Sequence, residues 1–143
     1  FDRFVSIKIK PINGGCCCFH CWPLTWDNVN AKINSIEPLK DEGDVLIQEG
    51  NNEYVLECHE SGPELVLLID RIVAYSSFII SISGLVLTII QTRQKEKPGC
   101  KFEIIKKVYK KGVIKEEVVM KVEGPIRNKD EIATVLKKYI EEK

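Results

Sequence analysis

The chain lacks the local signatures on which a catalytic assignment rests. It has no Gly-rich phosphate loop, no His-Glu-x-x-His helix and no Gly-x-Ser-x-Gly elbow. Nothing therefore points to phosphate-loop nucleotide chemistry, zinc-peptidase chemistry or an esterase, and no enzyme is expected. There is also no Asn-x-Ser/Thr sequon, no secretory apolar core before residue 70, no internal repeat and no low-complexity tract. The first residue is Phe1 rather than Met, so the sequence is expected to be processed, trimmed or incomplete.

Two shortages of charge are more informative. Residues 1–70 hold only 5 Lys/Arg against 12 Asp/Glu, a net of −7, and residues 71–143 hold 16 against 9, a net of +7. Between these halves, Ile72 to Ile90 (IVAYSSFIISISGLVLTII) carries no charge at all. As a helix rising about 1.5 Å per residue, that run would just cross a hydrocarbon core of roughly 30 Å. A soluble helix should show a broad polar face, and this run shows none. The expectation is a single membrane span. Sparse Lys/Arg before it, and Arg93, Lys95, Lys97 and Lys101 after it, place the C-terminal half in the cytoplasm. A buried helix of a soluble fold, or two strands turning at Ser83-Gly84, are the rival readings.

Within the run, Ala74, Ser77, Ser81, Gly84, Thr88 and Gln91 recur at alternating three- and four-residue steps. Small residues on one face let helix backbones approach closely in lipid, so Ala74, Ser77, Ser81, Gly84 and Thr88 form the expected helix-packing site. The basic segment after the run suits anionic lipid, whereas no nucleic-acid partner is expected.

Elsewhere the pattern is that of an α+β chain. Phe4 to Ile9 alternates as a half-buried strand. Thr25 or Asp27 could cap a short helix bearing Val29, Ile33 and Ile36. Val45–Gln48 and Tyr54–Cys58 read as a hairpin around Gly50-Asn51-Asn52. Ser61-Gly62-Pro63-Glu64 reads as the start of a helix that continues through the apolar run to about Lys97, where Pro98-Gly99 stops it. Lys101–Tyr109 and Val113–Val122 read as strands around Lys110-Lys111-Gly112. A terminal helix then begins at the Asn128 cap, with Ile132, Val135, Leu136, Tyr139 and Ile140 on one face.

The cysteines offer a second candidate site. Cys16, Cys17, Cys18 and Cys21 surround His20, and Cys58-His59 lies further on. Thiolates and imidazoles suit tetrahedral zinc, so Cys18, Cys21, Cys58 and His59 are the candidate ligands, although an adjacent pair is unusual spacing for a structural site. Disulfides, acylation and reduced buried thiols are the competing readings. No cofactor is expected, with zinc as the alternative.

The stretch from about Glu64 to Glu142 holds an apolar segment, then the strand–turn–helix VVMKVEGPIRNKDEIATVLKKYI. In this it resembles the effector-associated constant components of bacterial conflict systems. The resemblance implies an adaptor that works beside a separate effector without a catalytic site of its own.

The expectation is thus an α+β protein with N-terminal strands, one long central apolar, transmembrane helix and a C-terminal ββα module. Its parts are an acidic, Cys-containing module over 1–62, the long helix over 63–97 and a basic module over 98–143. Its function would be that of a membrane-anchored adaptor or assembly subunit that binds a protein partner or its own copies, as well as membrane lipid. The alternatives are a zinc- or thiol-dependent binding protein centred on the cysteines, or a subunit whose apolar run is covered by partner chains.

Overall fold

A computed structural model describes residues 3–12, 17, 20–33, 43–49, 52–59, 62–68 and 75–141. The elements run β1 (Arg3–Pro11), α1 (Pro23–Lys32), β2 (Asp44–Glu49), β3 (Asn52–Glu57), β4 (Glu64–Leu68), α2 (Tyr75–Glu96), β5 (Phe102–Lys110), β6 (Val113–Val122) and α3 (Lys129–Glu141). All six strands form one sheet in the order β2-β3-β4-β1-β5-β6, and every neighbouring pair is antiparallel. The class is α+β, as the sequence pattern implies. Because β4 and β5 both run against β1, they are parallel to each other, and α2 makes the crossover between them above β1.

Strand alternation sorts the side chains into two faces. Ile7, Ile9, Val45, Ile47, Tyr54, Leu56, Leu65, Phe102 and Ile104 turn to one side and are buried. There they meet Ile82, Leu85, Val86, Ile89 and Ile90 of α2, flanked by Trp26 and Val29 of α1 and by Ile132 and Leu136 of α3. Each such side chain contributes about 1.5–3 kcal/mol when fully buried. The Trp22 ring meets Phe102 edge-on, with centroids 6.2 Å apart, and joins the start of α1 to the sheet.

Among the described residues no helix is long and apolar enough to cross a membrane. This overturns the expected transmembrane helix and the single-pass membrane location. Two physical reasons account for the difference. First, the stretch read as one helix from residue 63 is broken: Glu64–Leu68 is the strand β4, and the helix is described only from Tyr75. A short continuous apolar run cannot be assigned to helix or strand by periodicity alone. Second, α2 lacks a broad polar face because protein covers it on several sides, with the sheet beneath and α1 and α3 alongside. Its last six residues, Gln91 to Glu96, are polar and charged.

Gly62 sets the entry to β4. Its φ is +134°, and a Cβ there would lie 2.1 Å from the Ile9 carbonyl oxygen. Only glycine lets the chain pass this close. The passage seats the Pro63 carbonyl 2.9 Å from the Ile9 amide, which donates to it.

Candidate functional site

No described helix covers the opposite face of the sheet. The register lays two rows of side chains across it. One row reads Asp44, Glu57, Glu64, Lys8, Ile105 and Val118. The other reads Leu46, Val55, Val66, Ser6, Lys107 and Glu116. At the centre the Lys107 ammonium lies 3.2 Å from a carboxylate oxygen of Glu64 and 3.7 Å from one of Glu116. Glu64 is buried, so its carboxylate has lost hydration and relies on the Lys107 ammonium to offset that loss. Burial lowers the pKa of Lys8, as does the neighbouring Lys107 charge, against the opposing pull of Glu64 and Glu116. Ser6 is fully buried, and its hydroxyl has no hydrogen-bond partner among the described residues. Lys8 and Lys107 thus stand among the carboxylates of Glu64 and Glu116, with Glu57 and Asp44 further along the first row, so the face mixes both signs of charge.

Exposed apolar side chains stand at both ends of this face, Leu46 on β2 and Ile114 and Val118 on β6. Ile114 and Val118 point to the same side and are 59% and 45% exposed, and Val113 is 57% exposed. β6 ends the sheet, so its outer backbone groups face no described strand. The Lys111-Gly112 turn, with φ of +52° and +81°, joins it to β5 in the primed geometry that suits twisted hairpins. A bulge at Val119, where Ile104 faces Met120 and Ile105 faces Val118, bends the strand beyond its exposed part.

A second polar cluster ties α1 to the end of α2. α1 has Pro23 in its first turn and no side-chain cap of its own. Glu96 supplies the cap instead. It accepts the Leu24 amide at 2.8 Å on one oxygen and the Thr25 hydroxyl at 3.0 Å on the other. Arg93 donates to the same carboxylate at 3.0 Å and to the Cys21 carbonyl at 3.0 Å, with its guanidinium 4.6 Å from the centre of the Trp22 ring. The residue read as the start of a lipid-facing basic flank is thus turned into the protein. Sequence reasoning passed over Glu96 because a carboxylate among basic residues carries no local sign of its partners.

Three positions of the small-residue stripe, Gly84, Thr88 and Gln91, make contacts within this chain. Ala74 lies outside the described residues, and Ser77 and Ser81 lie on the first half of α2. Gly84 and Thr88 are half-buried beside α1: Lys32 donates to the Thr88 hydroxyl at 2.7 Å and to the Gly84 carbonyl at 3.4 Å. Gln91 and Gln94 donate to the carbonyls of Ile126 and Gly124 on the approach to α3.

The expected zinc site is not assembled among the described residues. Among the described residues no group of three or more His, Cys, Asp or Glu side chains could hold a metal ion. Cys18 lies outside the described residues, and Cys21 is exposed just before α1. Cys58 is buried in the core while His59 is exposed and paired with Glu57 at 3.0 Å. Adjacent residues of an extended segment point to opposite sides, which is why Cys58 and His59 do not converge on one ion.

The fold and this face define an α+β chain whose antiparallel sheet carries the described helices on one side and ends in a half-apolar edge strand. The chain matches no protein-family model, no curated protein and no solved structure.

Proposed function

We propose that this chain is a non-enzymatic assembly module, an adaptor that takes up an extended protein segment along the outer edge of β6. The observation that carries this reading is the exposure of Val113, Ile114 and Val118 on the terminal strand of the sheet. Edge strands are ordinarily blunted by charge, proline or brevity. β6 carries Lys115, Glu116 and Glu117 yet keeps three large apolar side chains in water over six residues. An added strand would satisfy its outer amides and carbonyls and cover those side chains, as in strand-addition recognition. The resemblance of residues 64–142 to adaptor-type constant components agrees with this role.

The test is an NMR titration of the labelled chain with a synthetic peptide of residues 113–118. Amide shifts confined to β6 and its hairpin are expected. In Glu116→Pro, the β6 residue loses an outward N–H and the peptide should no longer bind, while the fold is retained. Shifts confined to some other surface, or no shifts at millimolar peptide, would remove the reading.

A further inference from the structure

The outer edge of β6 is self-complementary, and we infer that its partner is a second copy of this chain, docked edge to edge about a two-fold axis at Glu116. This rests on the strand-addition reading above and adds the identity and register of the partner.

The backbone decides which groups are offered. Lys110 and Val113 close the two-residue Lys111-Gly112 turn and so form a hydrogen-bonded pair across the hairpin. Alternation then directs the amides and carbonyls of Val113, Lys115 and Glu117 toward β5, and those of Ile114, Glu116 and Val118 outward. A second β6 running antiparallel can bond only to these outward groups. A two-fold axis normal to the sheet also keeps equivalent faces on the same side, so paired residues must share a face.

Only a few registers meet both conditions. With the axis at Glu116, Ile114 faces Val118 of the other copy on the open face, twice over by symmetry. Lys115 faces Glu117 on the helix side, also twice. The like pair on the axis is Glu116 with its counterpart, and each already lies 3.7 Å from the Lys107 ammonium of its own chain. Moving the axis to Lys115 sets Ile114 against Glu116, and moving it to Glu117 sets Val118 against Glu116. The Glu116 register therefore matches apolar with apolar and base with acid, and cross-strand pairs of those kinds favour pairing. Residues 113–118 are exposed throughout, and the Val119 bulge marks where the flat edge ends. The dimer would have one continuous twelve-stranded sheet, with six strands from each copy.

The experiment is analytical ultracentrifugation of the full chain over a range reaching millimolar, with circular dichroism to verify folding. The wild type should show a monomer–dimer equilibrium. Lys115→Glu alone or Glu117→Lys alone places like charges in both symmetry-related pairs and should weaken dimerisation by about tenfold or more. The double variant, and an equimolar mixture of the two single variants, restore opposite charges and should restore dimerisation. A dimer indifferent to these changes would overturn the register. A monomer throughout that still shows β6 shifts with the peptide would overturn self-association and leave the strand-addition reading standing. A monomer that binds no peptide would remove both.

Discussion

Glu96 is the residue whose loss should be felt furthest from its own position. Glu96→Ala removes a carboxylate that caps α1 and neutralises Arg93. The Glu96 and Arg93 side chains are 13% and 11% exposed, so water replaces the lost bonds poorly. Loss of an N-terminal cap costs about 0.5–2 kcal/mol. Loss of a charge-assisted hydrogen bond from a buried group costs about 1.5–3 kcal/mol, partly offset here because Arg93 keeps the Cys21 carbonyl and the Trp22 ring. The contributions share atoms and do not add fully, which gives about 3 kcal/mol in total. For a chain of this size that is a fall in Tm of roughly 6–12 °C. Calorimetry, with urea unfolding to check that the m-value is unchanged, would measure it. Lys95→Ala, at an exposed position on the same turn, should cost no more than about 0.5 kcal/mol. If Glu96→Ala and Lys95→Ala were equally mild, the cap and the Arg93 pair would not be holding α1 in place. A double-mutant cycle with Thr25→Ala should show coupling, because both residues meet in one hydrogen bond.

Two further outcomes follow from the geometry. Gly84→Ala should raise stability by roughly 0.5–1 kcal/mol in thermal unfolding. Among the described residues the added Cβ would meet only the Lys32 ammonium, at 3.9 Å, and alanine favours the helix; a marked loss would show instead that α2 needs bare backbone there. Lys8 binds its proton less tightly in the folded chain than in the unfolded one. Between that lowered pKa and 10.5 the unfolded chain holds more protons, so this residue makes stability rise with pH across that window. Lys8→Met should flatten the rise in urea midpoints measured at closely spaced alkaline pH values, and an unchanged slope would assign it to other lysines.

Parts of this architecture are legible in the sequence because the signals are local. Asn128 accepts the Asp130 amide at 2.9 Å and opens α3, whose stripe buries Ile132 and Leu136. Lys111-Gly112 makes the β5–β6 turn, and the alternation around Ile7 and Ile9 marks β1. The misreadings arise where partners are remote. Leu65 to Leu68 looks the same as strand or as the opening of a helix, because only the flanking β1 and β3 decide its state. The uncharged length of α2 is common to a membrane span and to a helix held between a sheet and two neighbouring helices, since both remove apolar surface from water. The charged face is invisible in one dimension for a related reason: Lys8, Glu64, Lys107 and Glu116 come from four strands and meet only through register.

The position of β1 between β4 and β5 has a kinetic meaning. Its partners lie roughly 60 and 100 residues downstream, so this strand must wait for each before it can pair on that side. Until then Ile7 and Ile9 are exposed alternating residues, the kind of segment that pairs with whatever strand is near. The β2–β3 and β5–β6 hairpins can close within themselves, and β1 can join the first of them through β4, but it meets β5 only when α2 has crossed. Folding of this chain should therefore be limited by the closing of β5 onto the free side of β1, and substitutions at Ile7 and Ile9 should slow refolding more than substitutions at the hairpin tips.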